Sequence, residues 1–300
     1  MTFNLFNLTH RVARELGGVV YTGLATGGST TTLIDTVKLG RWEDDFFNKV
    51  DLGTVWILRD AGGASAAPEG QYATVSDFVS ATKTATISTV TAAVGAGDRY
   101  AIADDKFPLH TIIDNINMAL LDMGNIIYTD TTTVQIDVDQ TEYTLPAGLA
   151  GGDLDEVWLQ TADTNTDDNR WKLIPKSYWY VQKSVVGTED ELVFTIQLAE
   201  DYYCKLVYDA PHPELYVYTD ELSEHVPLQR VIYPAALNAL RWKKQDNETD
   251  IYDDQILKLE MKTAKALREH PIRIPKRTNK GWVMSGASAK LESEPNKVYL

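Results

Sequence analysis

The stretch DELSEHVPLQRVIYPAALNALRWKKQDNETDIYDDQILKLEMKTAKALREH, residues 220–270, decides how the rest of the chain is read. From Val226 onward, Val231, Ile232, Ala235, Ala236, Leu237, Ala239, Leu240 and Trp242 recur three and four apart, the spacing of one helix face. Pro234 removes one backbone hydrogen bond within it. After the polar link Gln245-Asp246-Asn247-Glu248, Thr249 or Asp250 can cap a second helix whose apolar side carries Ile251, Ile256, Leu257, Leu259, Met261, Ala264 and Leu267. Lys262, Lys265 and Arg268 gather where a helix C-terminus favours positive charge, and Pro271 stops the helix. The prediction is an antiparallel helix hairpin over Val226–Gln245 and Asp250–His270, with no catalytic motif on it.

Two more amphipathic helices are predicted. Thr2–Leu16 places Phe3, Phe6, Leu8, Val12, Ala13 and Leu16 against Arg11, Arg14 and Glu15, and Gly17-Gly18 ends it. Leu109–Met123 carries Leu109, Ile112, Ile113, Ile116, Ala119, Leu120 and Met123 and closes at Gly124. Between these helices the grammar is β. Short runs such as VVYTGLAT, TTTLIDTV, GTVWILRD and DRYAIA fill the first gap, and VQIDVDQTEYTL, LDEVWLQTA, ELVFTIQL and YYCKLVYDA fill the second. The expected fold is therefore α+β: a discontinuous helical bundle (1–17, 107–124 and 221–270) carrying two inserted antiparallel β modules, 18–106 and 125–220, each a sandwich or barrel. An extended C-terminal tail, 271–300, follows.

Hydrophobic residues at 44% of the chain exclude a disordered protein. No run approaches the roughly 18 apolar residues of a membrane span, and the first residues carry no cleavable leader, so a soluble chain is expected. Cys204 is the only cysteine, which excludes an internal disulfide and a cysteine-built zinc site. The net charge of −15 is unevenly spread. Residues 261–300 hold nine Lys or Arg against three Asp or Glu, a local +6, which leaves −21 for residues 1–260. An acidic body disfavours tight binding to nucleic-acid phosphates and suits a surface that DNA must pass without adhering.

The catalytic and ligand motifs fail on inspection. GLATGGST spaces Gly23 and Gly28 like a phosphate loop, but Ser29 stands where its lysine is needed. Asp163, Asn165 and Asp167 begin like a calcium loop, but Asp168 replaces its glycine and Ile174 its final glutamate. His10, His110, His212, His225 and His270 form no ligand pair and are expected at the surface or at helix ends. Asp137 and Asp139 are close in sequence without the marks of an acid–base couple. No catalytic residue, cofactor or metal is expected. Trp158, Trp171 and Trp179, with Tyr178, Tyr180, Tyr202 and Tyr203, could form a sugar-binding face or simply a core.

Two stretches carry a resemblance. Ala25-Thr26-Gly27-Gly28-Ser29-Thr30-Thr31-Thr32-Leu33-Ile34-Asp35-Thr36, followed by Asp44-Asp45-Phe46-Phe47 and Gly53-Thr54-Val55-Trp56-Ile57, is similar to β modules of tailed-bacteriophage structural proteins. Leu222-Ser223-Glu224-His225-Val226-Pro227 with Tyr233-Pro234-Ala235-Ala236-Leu237-Asn238-Ala239-Leu240 resembles helices of phage head-to-tail connector proteins, also called adaptors. The resemblance implies a virion structural protein of the neck, assembled in the host cytoplasm. It implies a ring of about a dozen copies that joins the portal protein to a tail or nozzle protein and lines the channel for DNA ejection. Genomic DNA would pass without specific binding, and no membrane would be involved. The tail would reach the portal, with Arg273, Lys276, Arg277 and Lys280 as charged contacts and Trp282, Tyr299 and Leu300 as anchors. A tail-fibre or baseplate protein with a carbohydrate-binding β module is the alternative, and a glycan-active enzyme with unidentified carboxylates is a third.

Overall fold

The structure is a computed structural model, and it describes residues 3–17, 20–63, 66–137, 139–146, 149, 153–160, 171–183, 190–198, 202–247 and 250–271. In chain order its elements are β1 (Phe3–Asn4), α1 (Leu5–Glu15), β2 (Val20–Leu24), β3 (Gly27–Gly28), β4 (Thr32–Ile34), β5 (Gly53–Arg59), β6 (Tyr72–Val79), β7 (Thr84–Ile87), β8 (Arg99–Ala103) and α2 (Leu109–Asp122). They continue with β9 (Asn125–Asp130), β10 (Glu142–Thr144), β11 (Asp153–Gln160), β12 (Trp171–Ile174), β13 (Trp179–Gln182), β14 (Glu191–Phe194), β15 (Cys204–Pro211), β16 (Glu221–Leu222), α3 (Gln229–Asn247) and α4 (Asp253–Glu269). The chain divides into two units, the first built from residues 3–123 and 214–271 and the second from 124–213.

In the first unit, seven antiparallel strands in the order β2-β8-β5-β6-β7-β4-β3 form a half-barrel. Its interior strand β5 carries the apolar run Val55-Trp56-Ile57 rather than an alternating pattern, and Gly53 through Ile57 are all buried. Val55 and Ile57 enter the core with Val75, Phe78, Ile87 and Ile102, whereas Trp56, fully buried on the opposite face, lies under α1. A strand buried on both faces has this pattern. Trp56 Nε1 donates to Thr9 Oγ1 at 3.2 Å, and that hydroxyl donates to the Phe6 carbonyl at 3.0 Å. The indole N–H is thus satisfied inside an apolar layer, where an unpaired donor would be costly.

Asn4 caps α1 by accepting from the Asn7 backbone N–H at 3.1 Å. α3 packs against α1, α2 and α4. The short β1–β16 ladder, Phe3 opposite Leu222, ties the segment before α1 to the segment before α3. Asn117 in α2 mimics a strand edge: its Nδ2 donates to the Leu215 carbonyl at 3.0 Å and its Oδ1 accepts from Leu215 N–H at 2.9 Å.

The second unit holds a four-stranded sheet, β12-β11-β15-β9, and a three-stranded sheet, β10-β14-β13, both antiparallel. β15 alternates strictly, burying Cys204, Leu206, Tyr208 and Ala210. Those side chains share one core with Tyr143, Trp179, Leu192 and Phe194 of the smaller sheet, the arrangement in which two half-buried sheets cover each other.

The expectation of a helical bundle with two β insertions is overturned. The described residues are mostly β, with sixteen strands in four antiparallel sheets and four α-helices. A wide apolar helix face shows that something must cover it, not what the cover is. For α1 part of that cover is β5, through Trp56, so the sheet is a principal layer and not an appendage to a bundle.

Candidate functional site

The 220–270 stretch carries the least expected surface of the molecule. α4 is apolar on two opposite faces. Leu259 and Ala266 are buried. At 100° per residue, Leu257, Met261 and Ala264 fall on the other side of the helix, where Leu257 is 57% and Met261 67% exposed. Asp254, Leu257, Met261, Ala264 and Arg268 follow each other at steps of three and four, a straight stripe along the helix. Ile251, 81% exposed, lies just before it.

The roll of α4 is fixed by its flanks. Arg241 of α3 meets Glu260 at 2.7 Å, and Lys244 meets Asp253. Lys262 reaches Glu15 at 2.5 Å, and Gln255 Nε2 donates to the Glu15 carbonyl at 3.1 Å. Exposed pairs of this kind contribute little stability, but together they aim the outer stripe at solvent. Asp254, Lys258 and Arg268 form no ion pair among the described residues. A groove of about 640 Å³ between Gly17 and α4 borders the stripe, lined in part by Ile251, Lys258 and Met261.

A second groove, about 620 Å³, lies between α1 and α3 and is polar: Asn7, His10, Arg11 and Arg14 face Gln229 and Tyr233. The Arg11 guanidinium stands 5.3 Å over the Phe3 ring. His10 packs its ring 5.5 Å from Trp56, and its Nε2 is buried without a hydrogen-bond partner. Burial first, then the neighbouring charges of Arg14 and Arg11, lower its pKa from 6.5 to about 4. His10 is therefore neutral and a weak base at pH 7. His212 is also buried, against the expectation for the histidines, with Nδ1 2.7 Å from the Pro213 carbonyl. His110 and His225 are exposed.

Many of the acidic residues have local work. Asp98 accepts from Ala61 and Gly95 N–H groups, Asp130 from Thr132 and Thr133, Asp220 from Tyr216 and Val217, and Asp35 from Val37 and Lys38. Apart from the Asp98–Ala61 bond, which spans 37 residues, these are turns in which a carboxylate replaces a backbone acceptor. Burial pushes the Asp130 pKa up, but the Thr133 and Thr132 hydrogen bonds outweigh it and hold the group below its ordinary value. Part of the acidity of the body is thus turn chemistry.

The glycines of the GLATGGST segment also have a structural use. Gly23 in β2 faces Tyr100 in β8. A Cβ there would stand 2.5 Å from the phenol oxygen and 2.6 Å from Asp35 Oδ2. Tyr100 OH donates to Asp35 Oδ2 at 2.7 Å, and burial followed by that bond raises the phenol pKa far above 10.

The aromatic residues of the second unit are divided between core and surface. Trp179 is core, its Nε1 donating to the Ile174 carbonyl at 3.2 Å. Trp158 donates to Glu156 at 3.0 Å while Lys205 Nζ lies 5.8 Å over its ring. Trp171 is half-buried at the start of β12. Asp163, Asn165 and Asp167 lie outside the described residues, as do Arg273, Lys276, Arg277, Lys280, Trp282, Tyr299 and Leu300.

Among the described residues, no three His, Cys, Asp or Glu side chains are placed to hold a metal ion, and no helix is long and apolar enough to cross a membrane. No protein family, curated protein or solved structure matches the chain.

Proposed function

We propose that this chain is a virion structural protein, a ring-forming head-to-tail adaptor that joins a portal protein to a tail or nozzle protein. The observation that carries the proposal is the outer stripe of α4: Leu257 and Met261 are held in water by a helix whose other face is already packed. An apolar stripe aimed outward marks a protein contact. It leads directly into residues 272–300, which are basic and include Trp282, Tyr299 and Leu300. Support comes from this surface and from the split of charge along the chain, not from the fold. In the second unit, Trp179 is core and Trp158 is engaged by Glu156 and Lys205.

Electron-microscope imaging of the purified full chain, alone and mixed with portal assemblies, tests the proposal. The expected result is a ring of high order on the portal, with carboxylates lining its bore. A trimer that ignores the portal, or a glycan bound against Trp158 or Trp171, would replace the adaptor with the fibre or baseplate alternative.

A further inference from the structure

We infer that the outer face of α4 binds a second copy of itself, antiparallel, about a two-fold axis at Met261. The inference stands whether or not the chain is an adaptor, because it rests on the pattern of one helix. Asp254 and Arg268 are both seven residues from Met261, on opposite sides, and both are exposed. Leu257 precedes Met261 by four residues and Ala264 follows it by three. In an antiparallel pair, residues at about the same distance from the axis face each other, and the alternating steps of three and four set Leu257 of one copy beside Ala264 of the other. Met261 then meets Met261 of the second copy, Leu257 packs on the second copy's Ala264, and Asp254 meets its Arg268. Large side chains oppose small ones, and each end of the seam closes with opposite charges.

A parallel pair would do the reverse. Asp254 would face Asp254, and Arg268 would face Arg268, so like charges would meet at both ends. Lys258 and Lys265 border the antiparallel seam, where their long stems cover apolar surface and their ammonium groups stay in water. Lys265 also lies 3.9 Å from Glu269. Neither Asp254 nor Arg268 has an ion-pair partner among the described residues of its own chain, so both are available across the axis. One helix face buries less than the roughly 1,200 Å² of a standard interface, and the pair is accordingly reversible. An isologous pair closes on itself and builds no ring. In an adaptor it is the state of the free chain, opened when the ring forms.

The test uses the full chain at about 100 µM, a concentration at which a small reversible interface is populated, with sedimentation velocity and cysteine cross-linking. Wild type should sediment as a dimer. Met261→Cys should form a disulfide-linked dimer on mild oxidation while wild type does not, because Cys204 is fully buried. Asp254→Arg and Arg268→Asp should each weaken dimerisation about tenfold, and the double exchange should restore it. A monomeric wild type, a single charge exchange that tightens the dimer, or Leu257→Cys cross-linking as readily as Met261→Cys would overturn the inference. So would a monomer that dimerises only after deletion of residues 272–300, which would assign the face to that segment. All substituted positions are exposed, and far-UV circular dichroism checks that each variant folds.

Discussion

Replacing Gly23 with alanine should open the half-barrel at the β2–β8 edge, and its cost can be worked from the atoms it meets. The new Cβ would lie 2.5 Å from both Cζ and Oη of Tyr100 and 2.6 Å from Asp35 Oδ2, all well inside van der Waals contact. Neither neighbour yields freely. Tyr100 is 1% exposed within a packed core, and Asp35 Oδ1 is held by the backbone N–H groups of Val37 and Lys38. Overpacking costs about 1–3 kcal/mol, and separating a buried phenol from a carboxylate costs about 1.5–3 kcal/mol. Because the two share one displacement, about 3 kcal/mol in total is expected. Tyr100→Phe removes the clashing oxygen together with the hydrogen bond, so Gly23→Ala should cost at least about 1 kcal/mol less in that background. Hydrogen exchange of the β5 and β8 amides reports the opening free energy of this sheet directly. A cost below about 0.5 kcal/mol for the single variant, or strict additivity with Tyr100→Phe, would refute the account.

His10 should make stability depend on pH. Its folded pKa is depressed, so as pH falls below 6.5 the unfolded chain takes up the proton first. The contribution is complete above about pH 6.5 and is lost toward pH 4. Unscreened, the drop from 6.5 to about 4 corresponds to about 3 kcal/mol. Water reaches part of the ring, which reduces this to about 1–2 kcal/mol. His10→Asn should remove this slope, and an NMR titration of His10 near 6.5 would contradict it. Thr9→Val leaves the Trp56 N–H buried without its acceptor and should cost about 1–3 kcal/mol by urea denaturation; no loss would mean that the bond contributes nothing. Burial pushes the Cys204 thiol up to about 12, so thiol reagents should label it only after unfolding, and rapid labelling of the native chain would place it at the surface. Leu259→Ala should destabilise by about 2–4 kcal/mol, whereas Leu257→Ala, two residues away on the solvent side, should cost under about 0.5 kcal/mol in the monomer; equal losses would mean that both faces of α4 are packed.

The helices were legible because their apolar spacing is local. Leu109–Met123 is realised as Leu109–Asp122, and Asp250–His270 as a single turn followed by Asp253–Glu269. What covered each face was not legible, because that depends on distant residues. Trp56 sits in a strand visible as GTVWILRD, and its unbroken apolar run could have signalled burial on two faces. The cover over it, α1, comes from 47 residues earlier in the chain. On α4, treating Leu257, Leu259, Met261 and Leu267 as one apolar side hid a signal already in the spacing, since Leu257 and Met261 lie opposite Leu259. The roles of Gly23 and of the turn aspartates were invisible for another reason. A glycine needed for room looks the same as a glycine needed for a turn, and a carboxylate that accepts two backbone N–H groups looks the same as one in solvent.

The second unit begins at Gly124, just after α2, and ends at Pro213, and its first and last strands are hydrogen-bonded neighbours, with Asn125 opposite Pro211 and Ile126 opposite Ala210. On the first unit's side the returning chain is clasped at Leu215 by Asn117, within two turns of the end of α2. Both ends of the insertion are thus held close independently on either side of the junction. Loop-closure entropy rises only slowly with the length of what is inserted, and here the closure is already enforced by hydrogen bonds. The junction therefore acts as a socket: residues between Asn125 and Pro211 can be exchanged for a different module, lengthened or marked with a reporter, while the half-barrel and its helices keep the connections they have.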